Sequence, residues 1–298
     1  MVLFRNLQDR FSNATILRCH TVIEIVRRMK LTYTTLACPG WTIEEAVSAA
    51  ETYGYAAIEW RLADGAIIGP GASAEVRRRL REAPAAHGVE VACLDSSCRI
   101  VQGEPKERAA TIEDGQRLLD LAAEVGAPFL RVFGGELPAN TTRTSLLGSA
   151  AEVLHALGSY GAERNVTVIL ETHDAWTNSQ DVRALLQLAA FPAVKVLWDT
   201  HHTYRFGEAP AQTLALLGDT IAYVHIKDSR LSVSDTSAWT YCLLGEGDVP
   251  LREICEALKK GGYAGYLSLE WEKMWHPEIA EPEIALPHSV AYLRALLE

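Results

Sequence analysis

Four short stretches of this 298-residue chain share one pattern, an apolar run that ends on an acid or a histidine. Val166–His173 reads VTVILETH, Val194–His202 reads VKVLWDTHH, Ile221–Asp228 reads IAYVHIKD and Tyr266–Glu272 reads YLSLEWE. Each places Glu171, Asp199, His225 or Glu270 near its C-terminal end, where a parallel barrel builds its active site.

From Leu31 onward, short β-branched runs alternate with longer segments of helical period, which argues for βα units and a parallel sheet. The expected strands are 31–37, 56–61, 89–95, 129–133, 166–172, 194–200, 222–227 and 266–271. Helices are expected over 42–53, 73–87, 106–125, 144–163, 179–190, 210–217, 250–260 and 282–297. Thr42, with Glu44 and Glu45 behind it, signals a helix start, and Pro250 is expected in the first turn of another. Gly126, Gly161 and Gly261–Gly262 fall where helices should stop. Eight such units make an α/β protein, a single-domain (β/α)8 TIM barrel over residues 29–298, within the ~250 residues typical of that fold. Residues 1–28 are expected to be a short N-terminal extension, because the first strand follows Met29.

Composition narrows the partners. A formal charge of −10, with no basic block longer than Arg77-Arg78-Arg79, disfavours nucleic acid, whose phosphates require a basic surface. Six scattered cysteines without CxxC spacing, and no secretory leader, point to reduced thiols in a cytoplasmic protein. No apolar stretch approaches the roughly 18–20 residues of a membrane span, so no membrane partner is expected. A homo-oligomer is expected, and the MWHPEI run around Trp275 and His276 is a contact candidate.

Two glutamates, an aspartate and a histidine from the last four strands form a mixed oxygen and nitrogen donor set. Such a set suits a hard or borderline divalent ion, with Mn2+ first and Mg2+, Co2+ or Zn2+ compatible. A single acid at a strand end often only caps the next helix. Four in succession at the same end are harder to obtain that way.

These residues resemble the xylose isomerase-like barrels, a family that includes ketose epimerases, inosose and dehydroshikimate dehydratases, and apurinic endonucleases. The resemblance rests on Asp199-Thr-His-His202, His225-Ile-Lys-Asp228 and Glu270. It implies that Glu171, Asp199, His225 and Glu270 hold the metal, that Glu171 and Glu270 are also the catalytic acid/base pair, and that His202 binds substrate oxygen. The endonuclease members differ in having a histidine two residues beyond the aspartate that matches Asp228, where this chain has Arg230. Some epimerases carry a sugar-binding arginine six positions after the metal histidine, and this chain has Leu231 there.

Proton abstraction beside a carbonyl needs a base and an electrophile that stabilises the resulting enediolate. Glu171 and Glu270 would serve the two faces of an epimerisation. His173, two residues beyond Glu171, should share its direction and supply a further catalytic base. That Glu-x-His pair resembles the dehydratase branch. Lys227, Arg131, Glu59 and Trp271 complete the substrate-binding candidates, with Arg61 and Asp95 also approaching the mouth. Buried ion pairing is the competing role for the charged members, and rim packing for Trp271. The segment Ser229–Asp248 is long enough to be a lid. The expected function is a metal-dependent sugar isomerase or epimerase acting on a ketose or related polyhydroxy carbonyl compound. A dehydratase or β-eliminating lyase on a keto-sugar, keto-cyclitol or keto-glycoside is the alternative.

Overall fold

The computed structural model describes residues 29–232 and 238–298, so the expected extension over 1–28 lies outside the described residues. Eight parallel strands form the barrel: β1 (Lys30–Tyr33), β2 (Ala57–Trp60), β3 (Glu90–Arg99), β4 (Phe129–Phe133), β5 (Thr167–Glu171), β6 (Val194–Asp199), β7 (Ile221–Ile226) and β8 (Tyr266–Leu269). Ladder pairing runs β1-β8-β7-β6-β5-β4-β3-β2. The remaining seam, between β1 and β2, is joined by a parallel bridge between Thr34 and Glu59 and by the Ala56 N–H donating to Leu31 O at 2.9 Å. The expected (β/α)8 architecture is the observed one.

Alternation along the strands builds two layers. Ile58, Trp60, Val168, Leu170, Val196, Trp198, Val224 and Ile226 face outward into the large core under the helices. Ala57, Ile169, Leu197 and Tyr223 face inward and form a small apolar plug. Two residues further along each of those strands stand Glu59, Glu171, Asp199 and His225. The same period that packs the plug therefore aims four polar side chains into the barrel.

The helices are α1 (Ile43–Tyr53), α2 (Ala74–Ala86), α3 (Pro105–Val125), α4 (Arg143–Ala162), α5 (Ser179–Ala189), α6 (Thr200–Arg205), α7 (Pro210–Leu217), α8 (Leu251–Lys260) and α9 (Pro282–Leu297). Thr42 and Glu45 form a reciprocal capping box on α1. α3 stops at Gly126, whose φ of +81° is cheap only for glycine. Gly161, expected as a stop, lies inside α4, where a Cβ would come within 2.5 Å of Val166 O. Pro250 caps α8 from just outside it rather than entering its first turn.

Most strands end within two residues of expectation, and three strand ends are instructive. β1 stops at Tyr33 because the Thr34 side chain accepts the Leu36 N–H and starts a 3-10 turn over Thr35–Ala37. β3 runs on to Arg99. β6 ends on Asp199, which becomes the N-cap of the unexpected α6. Two hairpins decorate the C-terminal face, Leu62–Ala63 with Ala66–Ile67 and Asp228–Leu231 with Trp239–Cys242. No helix among the described residues is long and apolar enough to cross a membrane.

Candidate metal centre

Glu171 closes β5, Asp199 closes β6, His225 is the next-to-last residue of β7 and Glu270 follows β8 directly, and all four are buried. Asp199 Oδ1 accepts the N–H groups of His201 and His202 at 2.9 and 2.8 Å, which caps α6 and fixes the carboxylate. His225 Nδ1 lies 3.8 Å from Glu171 Oε1 and 3.5 Å from Glu270 Oε2. Glu171, Asp199, His202 and Glu270 each offer a donor atom within 4.8 Å of the others. The largest such cluster among the described residues thus includes His202, with His225 bordering the same space.

Both Glu171 oxygens, Asp199 Oδ2 and His225 Nδ1 are buried without a hydrogen-bond partner. Buried polar groups are ordinarily satisfied. Orphaned donor atoms converging from three adjacent strands fit a divalent cation, with the Glu171 and Asp199 carboxylates inside the 4.8 Å cluster and His225 Nδ1 beside it.

Two buried cations already temper this acidic site. Lys227 Nζ lies 2.5 Å from Glu270 Oε2, 2.7 Å from Glu272 Oε1 and 3.0 Å from Asp199 Oδ2. It donates to Glu270 and Glu272, while the Asp199 carboxylate faces it as an ion pair without a hydrogen bond. Arg131 pairs with Asp95 Oδ2 at 3.3 Å and Glu171 Oε2 at 3.4 Å, and lies across the Phe133 ring. Burial pushes the Glu171 and Glu270 carboxyls up, but Arg131 beside the first and Lys227 and His225 beside the second hold both below the usual range. Asp199 goes the other way, pushed up to about 7 by burial despite Lys227. Burial depresses Lys227 as well, and its carboxylates more than reverse that.

Glu59 is fully buried beneath the site rather than at the mouth. Its Oε1 lies 2.8 Å from His225 Nε2, and its Oε2 accepts from Tyr223 Oη at 2.9 Å and from Ser268 Oγ. This is the position of a carboxylate that orients a histidine, because the bond to Nε2 turns Nδ1 toward Glu171 and Glu270. Trp271 also departs from expectation. It faces outward into the helical layer, 2% exposed, with its indole N–H donating to Ala280 O at 2.9 Å.

The mouth is lined by aromatic rings. His173 packs against His202 at 4.5 Å between centroids and against Phe133 at 4.7 Å, with its Nδ1 2.7 Å from Asp174 Oδ1. His202 Nε2 is 3.3 Å from Lys227 Nζ, and burial together with Lys227 and His173 keeps the imidazole neutral, its pKa well below the usual value. His201 turns away to Ser229 Oγ at 2.6 Å. The separation of the two histidines comes from the turn of α6, which returns residue 202 to the side of its cap Asp199.

Sequence reasoning missed Glu272, which joins Lys227 to the Tyr241 hydroxyl at 2.8 Å. Its spacing of two from Glu270 was the available signal. It also missed the anchor of the expected lid. Asp228 accepts N–H bonds from Gly245 at 2.8 Å, Gly247 at 3.0 Å and Val249 at 3.2 Å, so this segment stands as a latched hairpin beside the mouth.

A model of a family described as the xylose isomerase-like TIM barrel matches residues 47–296. The chain is 26% identical over 200 residues to fructoselysine 3-epimerase of Escherichia coli O157:H7, covering 65% of this chain and 70% of that enzyme. It is 24% identical over 165 residues to inosose dehydratase of Clostridium botulinum (strain Alaska E43 / Type E3), covering 51% of this chain and 54% of that one. Among solved structures, the IOLI protein with a binding zinc atom superimposes with a TM-score of 0.76 over 90% of this chain and 98% of the other, at 16% identity.

Proposed function

The chain belongs to the xylose isomerase-like TIM barrel family, and on that footing we propose that it is a divalent-metal-dependent isomerase or epimerase of a ketose or related polyhydroxy carbonyl compound. The observation that supports this reading is the placement of two buried glutamates, Glu171 at the end of β5 and Glu270 just after β8, flanking the Asp199 and His225 strands. Glu171, Asp199, His225 and Glu270 hold the cation, with His202 close enough to share in it. The donor set suits Mn2+, Mg2+ or Co2+, and Zn2+ is compatible. Bound there, the cation supplies Lewis-acid stabilisation of negative charge on a carbonyl oxygen.

The protein groups do the rest. One glutamate takes the proton from the carbon beside the carbonyl, and the other returns a proton from the opposite face. Arg131 and Lys227 keep both carboxylates ionised until a substrate proton arrives. His202, neutral at the mouth, bonds a substrate hydroxyl. The apolar plug and the hairpin keep bulk water from quenching the carbanion.

A second reading, elimination of water from a keto-sugar or keto-cyclitol, is favoured by His173. Its ring stands over His202 beside Glu171, and Asp174 and Glu171 raise its proton affinity against the pull of burial. A third base of that kind suits the loss of a β-hydroxyl.

Both readings are tested by supplying Mn2+-loaded protein with ketoses, keto-cyclitols and keto-glycosides in deuterated water. Deuterium incorporation without loss of mass is expected, and it should vanish in Glu171→Gln. Loss of water would select the lyase. No exchange on any carbonyl substrate would overturn the proposal.

A further inference from the structure

Arg61 lies two residues beyond Glu59 at the C-terminal end of β2, so its side chain faces the barrel interior on the mouth side of that glutamate. It is 7% exposed. Its guanidinium makes one hydrogen bond among the described residues, from Nη1 to the Asp95 carbonyl at 3.1 Å. No carboxylate oxygen of the described residues lies within 4.0 Å of it. The other two cations of the site each stand against carboxylates, Arg131 within 3.4 Å of Asp95 and Glu171 although its Nε and Nη1 make no hydrogen bond, and Lys227 within 3.0 Å of Asp199, Glu270 and Glu272.

A guanidinium carries five N–H donors in a planar fork that matches a carboxylate or phosphate. Holding that group 7% exposed with one protein hydrogen bond and no carboxylate partner leaves its other donors facing only what solvent reaches them. The environment adds to the strain: burial, and then the neighbouring charge of Arg131, push the Arg61 pKa down to about 10. A residue that only tied β2 to β3 through the Asp95 carbonyl would need no charge, since an amide or hydroxyl donates that bond equally well.

We propose that Arg61 is the anchor for an anionic oxygen group on the substrate, a carboxylate or a phosphate carried by the polyhydroxy carbonyl compound. The proposal takes the location of the reacting centre from the reading above. An acidic site repels an anion unless one cation is kept for it, and Arg61 is the buried cation near Glu171 and Glu270 that no described carboxylate occupies. Its place on β2, across the barrel from β6 and β7, sets the anionic end of the substrate opposite His202.

The test uses the full chain labelled with 15N-arginine in buffer containing Mg2+. Sodium acetate, sodium phosphate and neutral acetamide are titrated in turn at constant ionic strength. The Arg61 side-chain signal is assigned by its loss in Arg61→Lys. A saturable shift of that signal is expected with acetate or phosphate, with a dissociation constant roughly tenfold or more below that of acetamide, as charge-assisted hydrogen bonding implies. The tighter of the two anions identifies the group. Arg61→Gln should bring the ratio of anion to acetamide affinity, read by calorimetry, to about one, while Arg61→Lys retains part of it. An Arg61 signal that no anion moves, or an anion preference that survives in Arg61→Gln, overturns the proposal. Because the readout is binding at Arg61, it stands or falls separately from the deuterium-exchange experiment.

Discussion

Glu59 Oε1 sits 2.8 Å from His225 Nε2, although the two residues are 166 positions apart in sequence. The bond leaves Nδ1 as the free nitrogen and fixes the plane in which it faces Glu171 and Glu270. The ring's donor direction is thus set by a residue on the opposite flank of the barrel.

Glu59→Gln should therefore weaken metal binding without removing a ligand. The amide keeps the volume but loses the charge that balances His225. A 10- to 100-fold rise in the dissociation constant is expected by calorimetry with Mn2+, the size of effect usual for such outer partners. Unchanged affinity would show that His225 is oriented by packing alone.

Lys227→Met removes the cation shared by Asp199, Glu270 and Glu272 and leaves buried carboxylates uncompensated. The metal-free protein should lose about 3–5 kcal/mol of stability in urea unfolding. Added Mn2+ should restore more stability to the variant than to the parent, because a second cation replaces the first.

Gly247→Ala would drive a Cβ into the Asp228 carboxylate and the Ser229 carbonyl. The latch of the hairpin then has to open. Faster limited proteolysis between Leu231 and Trp239 is expected, together with a destabilisation of about 1–3 kcal/mol. An unaltered cleavage rate would mean that the hairpin is held by its aromatic contacts instead.

Trp271→Phe tests a position that sequence reasoning assigned to substrate. Its indole is in the core and donates to Ala280. Loss of about 1 kcal/mol from that hydrogen bond, with a little more from volume, is expected in urea unfolding. Metal affinity and exchange kinetics should stay as in the parent.

The fold was legible because strand and helix periods are local properties. β4, α7 and α9 have the bounds that their sequences predict. The four strand-end residues were equally legible, since alternation carries them inward with the plug residues two positions earlier. What was not legible depended on partners distant in sequence. Glu59 and Arg131 were open between substrate contact and buried ion pairing, and the fold sets them against His225 and against Asp95 with Glu171. The placement of His202 at the site was implied by the resemblance, and nothing in the strand pattern explains it. The actual cause is local: Asp199 ends the strand and caps a helix, so a period of 3.6 replaces a period of 2. Arg61 was seen near the mouth, but its lack of a counter-ion is visible only when every neighbouring charge has been placed.

The bridge between Thr34 and Glu59 closes the barrel within its N-terminal half, between β1 and β2. All four proposed ligands come from the last four strands, whereas Glu59, Arg61 and Arg131 come from the first four. The C-terminal half thus carries the proposed ligands together with Lys227 and His202, and the N-terminal half adds Glu59 beneath His225 and Arg131 beside Glu171. Variation confined to the N-terminal half can retune what surrounds the site while leaving every proposed ligand untouched, and the seam that closes that half ends on Glu59, the residue that orients His225.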